Sequence, residues 1–290
     1  MPDDFLLSYA SFDAENRPFL EWQIDGKIGR AETFGQELSF AFDFSQKYCT
    51  GWVDFANHCS QTCPEQATVE TKYENCVKCR NRTGFNPAFY HATEVSEQQQ
   101  QINQQPHYLY LAYFAPGVMK VGISQEARGL RRLLEQGARL AFKLETFSSA
   151  LIARQYEAKI AALDGVLETV PATKKFELVK QTFNRADGEQ KLSEKIAEVE
   201  GKLGVSFPKA KLIVCEDYFQ TSDIDLTKVI LMKDQNQLVG HVRSVIGHVV
   251  VTEYNGELLA YNLKKFIGYR ARKITGPVKL ELPSEQLTLF

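Results

Sequence analysis

Residues 108–124 read Tyr108-Leu109-Tyr110-Leu111-Ala112-Tyr113-Phe114-Ala115-Pro116-Gly117-Val118-Met119-Lys120-Val121-Gly122-Ile123-Ser124. Tyr108 to Phe114 is aromatic and β-prone, Ala115-Pro116-Gly117 marks a turn, and Val118 to Ile123 is a second short strand. Two helices are expected next. The first runs from about Gln125 to Gln136; the second is introduced by Ser148-Ser149 as N-caps and continues to about Leu163. Two short strands followed by two helices make this stretch a small α/β core, and the rest of the chain is read outward from it.

Upstream, Phe19 to Ile24 ends at Asp25-Gly26, and Leu38 to Phe44 alternates apolar with polar positions, so the first 45 or so residues suggest a β-meander. Residues Ser96 to Pro106 are rich in glutamine, lack periodicity and end in proline, which marks a linker. Downstream, Thr173 to Phe183 is helical, and Leu192, Ile196, Val199 and Leu203 form the stripe of a further helix. From Lys211 to Tyr269 the pattern returns to strands, with a hairpin turn at Asn255-Gly256. The expected fold class is therefore α+β. Its segments are 1–95 (β-meander with a cysteine-rich part), 96–106 (linker), 107–183 (central α/β core), 184–282 (helix plus β-rich domain) and 283–290 (flexible tail).

Composition narrows the function classes. With 290 residues, 44% hydrophobic and 24% charged, the chain is neither collagen-like nor intrinsically disordered. No apolar run approaches the ~18–20 residues of a membrane span, and Met1-Pro2-Asp3-Asp4 is acidic where a secretory signal is basic, so a soluble, cytoplasmic protein without a membrane partner is expected. The formal net charge of −2 argues against a protein that coats nucleic acid through bulk charge. That total is a cancellation. Residues 1–45 carry nine Asp/Glu against three Lys/Arg, Val118 to Lys143 carries six Lys/Arg against two Glu, and Lys264 to Lys279 carries six Lys/Arg and no acid. Arg128 and Arg131 in the first basic stretch, and Lys264, Lys265, Arg270, Arg272 and Lys273 in the second, are the candidates for phosphate contact, with Phe266 and Tyr269 interleaved for stacking.

Five of six cysteines fall between Cys49 and Cys79, spaced Cys49-x9-Cys59-x3-Cys63-x12-Cys76-x2-Cys79. A C-x2-C pair with further cysteines nearby is the spacing of a tetrahedral structural zinc site. Asn57 to Phe89 holds few aliphatic residues, so metal binding would supply ordering free energy that a core cannot, on the order of 10 kcal/mol. Cys76 and Cys79 form the firm pair, two of Cys49, Cys59 and Cys63 complete four ligands, and His58 is a weaker candidate; His91 reads as a surface residue.

Tyr108-Leu109-Tyr110, then Lys120-Val121-Gly122-Ile123-Ser124, Arg132 and Glu157 resemble, in order, the motifs of the GIY-YIG nuclease superfamily. Together with Arg132-Leu-Leu-Glu-Gln-Gly-Ala138, Tyr156-Glu157 and the upstream cysteines, they also resemble a prokaryotic family known only as a domain of unknown function, over most of residues 45–270. The resemblance implies metal-assisted phosphodiester hydrolysis. Glu157 would hold Mg²⁺ or Mn²⁺, Tyr110 would act as general base or orient water, Arg132 would stabilise charge on the phosphate, and Gly122 would let the backbone pass close to the active centre. Leu109 and Tyr108 stand where the name-giving motif has Gly-Ile. Lys120 replaces the second tyrosine; it can position a phosphate as a point charge but cannot join a phenolic network.

The chain ends Gln286-Leu287-Thr288-Leu289-Phe290, which resembles the pentapeptide by which bacterial polymerases and repair proteins bind the replicative sliding clamp. That implies a clamp partner, with Gln286 hydrogen-bonding at the mouth of a site and Leu287, Leu289 and Phe290 entering apolar pockets. Together the readings point to a metal-dependent DNA endonuclease of replication or repair that contains structural zinc. The alternative is a non-catalytic zinc-containing module that binds DNA or RNA.

Overall fold

The computed structural model describes residues 1–54, 59–84, 95–278, 280 and 282–283. The chain begins with β1 (Asp4–Phe12), β2 (Pro18–Ile24), β3 (Lys27–Glu32) and β4 (Glu37–Asp43). The cysteine-rich segment follows, with only short elements: β5 (Lys47–Tyr48), β6 (Trp52–Asp54), β7 (Cys59–Gln61), β8 (Thr68–Val69) and α1 (Val77–Thr83). Helix α2 (Glu97–Asn103) leads into β9 (His107–Ala115), β10 (Val118–Gln125), α3 (Arg131–Gln136), β11 (Leu140–Phe147), α4 (Ala150–Ala161), β12 (Val166–Leu167), α5 (Ala172–Leu178), α6 (Arg185–Leu203) and β13 (Lys211–Val214). The last elements are β14 (Ile230–Leu231), β15 (Gln237–Ile246), β16 (Val249–Tyr254), β17 (Glu257–Asn262) and β18 (Arg270–Lys273).

The result is a mixed α and β protein, with six α-helices among the described residues and two large sheets. The nine-stranded sheet runs β14-β17-β16-β15-β4-β18-β1-β2-β3, and the five-stranded sheet runs β12-β10-β9-β11-β13. Strands β1 to β3 form a meander, but β4 does not continue it: β18 pairs antiparallel with both β1 and β4, and β15 takes the other edge of β4. Segments 1–95 and 184–282 thus contribute strands to one sheet, and β13 extends the central one. No local pattern announces a strand arriving from more than 200 positions away.

Strand β9 shows why this stretch organises the molecule. Every one of its nine residues is buried, because it lies at the centre of its sheet with cover on both faces. Tyr108, Tyr110, Ala112 and Phe114 point into the core shared with Phe5, Leu7 and Phe12 of β1 and with the apolar face of β15 and β16. Leu109, Leu111 and Tyr113 point the other way, towards Ile160 of α4 and Leu192 and Val199 of α6. The period of two therefore separates two cores.

Local signals account for several elements. Ser149 caps α4 by accepting the Ile152 amide, and Asn255-Gly256 turns β16 into β17. The helix expected from Gln125 to Gln136 is instead a single 3₁₀ turn, Glu126–Arg128, and then α3, interrupted at Gly129. The expected linker is partly a helix: Ser96 accepts the Gln99 amide, and the run of glutamines, good helix formers, carries the turn on to Asn103. Among the described residues no helix is long and apolar enough to cross a membrane.

Candidate functional site

The cysteine unit is built from turns. β5 pairs with β8 and β6 with β7, while Thr50 and Glu74 are joined through their backbones at 2.9 Å and the Asn75 amide donates to the Gly51 carbonyl at 2.8 Å. These bring the sulfurs of Cys49, Cys63, Cys76 and Cys79 within 4.8 Å of one another. A tetrahedron with Zn–S bonds of about 2.3 Å needs sulfurs roughly 3.8 Å apart, so the four fit a metal such as zinc. The Cys49 sulfur also accepts the backbone N–H groups of Cys76 (3.1 Å) and Gly51 (3.4 Å), a pattern that favours thiolate. A Cβ on Gly51 would collide with the Gln61 carbonyl, so glycine is required where the knuckle's strands cross. Cys59 stands outside the set, its sulfur accepting from the Gln61 side chain at 3.3 Å. His58 and His91 lie outside the described residues.

The second constellation is a cleft of about 1040 Å³ between the two sheets. Tyr110, Lys120, Arg132 and Glu157, separated by up to 47 positions in the sequence, all line it, together with Arg128, Arg131 and Lys264. Strand pairing sets Gly122 opposite Tyr110, and a Cβ on Gly122 would strike the Tyr110 hydroxyl, so this glycine makes room for the ring. The Tyr110 hydroxyl is fully buried and has no hydrogen-bond partner of ordinary geometry among the described residues. Burial raises its pKa, Arg132 opposes that, and the charge of Glu157 adds to it.

Lys120 lies two residues from Gly122 on the same face of β10. Its ammonium donates to the carbonyls of Val121 (2.9 Å) and Glu168 (2.6 Å), and burial pulls its pKa down to about 8 against the attraction of Glu157. Glu157 is 5% exposed on α4 and accepts from Arg154, one turn earlier, at 2.5 Å. Burial raises the Glu157 pKa, with Arg154 and Lys120 opposing. Arg154 also engages Glu168, so one guanidinium ties two cleft carboxylates. Nearby, buried Glu135 on α3 accepts from Ser11 (2.6 Å), Tyr9 and Arg128 and joins α3 to β1. Burial would raise its pKa, but Arg128 and the Ser11 hydroxyl outweigh burial and hold it below the usual value.

Sequence reading missed Arg154, Glu168, Glu135 and Lys175. Only Arg154 carried a signal, its i, i+3 spacing from Glu157. The remaining basic candidates are elsewhere. Arg270 lies over the Tyr48 ring, Arg272 and Lys273 face Asp4 and Asp3, and Lys265 faces Asp234 and the Lys233 carbonyl. None of these four lines the cleft: Arg270, Arg272 and Lys273 lie on β18, an interior strand of the nine-stranded sheet, and Lys265 lies in the turn Leu263–Lys265. Gln286, Leu287, Leu289 and Phe290 lie outside the described residues.

A family model described as "Protein of unknown function (DUF2797)" matches residues 35–271. No curated protein and no solved structure matches the chain.

Proposed function

The chain belongs to that family of unknown function, and we propose that its cleft acts on the phosphodiester backbone of nucleic acid, as a GIY-YIG-type, metal-dependent endonuclease of DNA replication or repair. The observation that supports this reading is the gathering of Tyr110, Lys120, Arg132 and Glu157 in one cleft with an excess of cations. Arg132 offers paired donors to a phosphate, and Lys120 offers a point charge held in place by two carbonyls. Tyr110 takes the general-base or water-orienting role, and burial, which raises its pKa, favours orienting water or phosphate as a hydrogen-bond donor. Glu157 and Glu168 supply hard oxygen donors of the type Mg²⁺ or Mn²⁺ takes, and Arg154 competes for the same carboxylates. When bound, such an ion would stabilise charge on the phosphate oxygens. Zinc in the cysteine tetrad is structural, since four thiolates leave no open position. Gln286, Leu287, Leu289 and Phe290 recruit the protein to the sliding clamp.

The test is a cleavage panel of duplex, flap, forked and single-stranded DNA with structured RNA, run with Mg²⁺ or Mn²⁺. Wild type nicks at least one DNA substrate; Glu157→Gln does not, at unchanged melting temperature. Equal cutting by both removes Glu157 from the chemistry. A clamp pull-down with and without residues 286–290 tests recruitment alone. A second reading, a DNA- or RNA-binding module without cleavage, is favoured by the Arg154–Glu157 ion pair and by lysine at position 120. It predicts salt-sensitive binding with no product under either metal.

A further inference from the structure

Charge in the cleft is unevenly distributed. At one end Lys120 and Arg154 face Glu157 and Glu168, two cations against two carboxylates. At the other end are Lys175 of α5, Arg132 of α3 and Lys264 of the turn Leu263–Lys265, which come from three separate parts of the chain. None of these three makes an ion pair among the described residues. Glu135, whose charge also reaches Arg132, accepts from Arg128, Ser11 and Tyr9.

Lys175 is not a loosely solvated surface residue. Its ammonium donates to the Gln136 side chain at 2.7 Å and sits 5.3 Å from the centre of the Phe114 ring, so it is positioned before any ligand arrives. Burial, followed by Arg132, Lys120 and Lys264, lowers its pKa to about 7. His248, beside Lys264 and Lys175, is lowered by burial and by those charges to about 4; it is neutral and donates Nδ1–H to the Glu135 carbonyl at 3.0 Å. Several like charges held together in excess of the carboxylates around them cost free energy that a bound anion recovers.

Building on the phosphodiester reading above, we propose that Arg132, Lys175 and Lys264 form a second phosphate subsite, which holds a phosphate of the same nucleic-acid strand next to the one engaged by Lys120 and Arg132. Lys264 belongs to the nine-stranded sheet region and Lys175 to the helical side, so the strand is gripped from both walls. A cleft of about 1040 Å³ is at the upper limit of ordinary small-ligand pockets, about 300–1,000 Å³, and accommodates more than one nucleotide.

The test is fluorescence anisotropy of labelled single-stranded and forked oligonucleotides with the full chain over a salt series. It compares wild type, Lys264→Gln, Lys175→Gln, the double variant, and Lys191→Gln on α6 as a control. Each lost phosphate contact lowers the slope of log K against log salt by about 0.7–0.9, so the double variant loses between one and two units of slope and about tenfold or more in affinity. Lys264 is exposed, so its variant reads out even if Lys175→Gln perturbs packing. Wild-type affinity and slope in both the single Lys264 variant and the double variant overturn the subsite while leaving the phosphodiester reading intact. A wild type that binds no oligonucleotide overturns both. Displacement by a mononucleotide or inorganic phosphate as effective as by unlabelled oligonucleotide shows a small-anion site and overturns the adjacent-strand assignment.

Discussion

Among the described residues from Lys47 to Thr83 the buried apolar material amounts to Cys49, Cys63 and Cys79, with Trp52, Ala67, Val69 and Cys76 around them. Strand β9, by contrast, has apolar neighbours on both faces, drawn from both sheets and from three helices. The first region is held by turns and by sulfur, the second by close-packed side chains. A region without a core depends on its ligand for order, and one with a core can expose polar groups to a cleft without unfolding.

The largest effect separates the two. Chelation of metal, or Cys76→Ser, costs the cysteine unit on the order of 10 kcal/mol of ordering. Hydrogen exchange from Lys47 to Thr83 becomes fast while amides of β9 and β15 stay protected; loss of protection in all three together would break the comparison. Leu111→Ala, at a fully buried site, costs about 2–5 kcal/mol in global stability with no change in metal binding by the cysteine tetrad. Gly122→Ala drives a Cβ into the Tyr110 hydroxyl and costs about 1–3 kcal/mol, read as a lower melting temperature, again with metal binding unchanged.

Tyr110→Phe is smaller and opposite in sign. It removes a buried hydroxyl that has no hydrogen-bond partner of ordinary geometry among the described residues, so stability rises by about 1 kcal/mol while cleavage falls; a fall in both would mean that its approach to Arg132 is a bond in the resting protein. The smallest effect is on pH. Lys175 and Lys120, with pKa values of about 7 and about 8, are charged below that range, so oligonucleotide binding weakens as pH rises through it. Stability of the free protein moves the other way. An unfolded chain keeps these protons up to the ordinary lysine range, so folding gains as pH climbs from about 7 towards that range. Lys175→Gln flattens both profiles, as anisotropy and thermal melts would read.

The local elements were legible where a residue type has one physical use. Ser149 can cap, Asn255-Gly256 can turn a hairpin, and the Leu192 and Val199 stripe buries one face of α6. The cysteine spacing pointed to the tetrad but could not choose Cys63 over Cys59, because that choice depends on how β6 and β7 cross at Gly51. The cleft was half legible. Tyr110, Lys120, Arg132 and Glu157 follow a known order, but Lys175 and Glu135 reach the cleft only through tertiary packing that leaves no periodic trace. Arg270, Arg272 and Lys273 form a basic run in the sequence but do not line the cleft; on β18 each side chain has a separate neighbour.

The arrangement β15-β4-β18-β1 has a consequence for synthesis. When β4 leaves the ribosome, neither of its partners exists; the first, β15, begins at Gln237, and β18 ends at Lys273. For most of translation the chain therefore carries an apolar strand, with Leu38, Phe40 and Phe42 on one face, and two unsatisfied edges. The nine-stranded sheet closes only after Lys273 has emerged, so chains truncated or stalled before residue 237 are the aggregation-prone species.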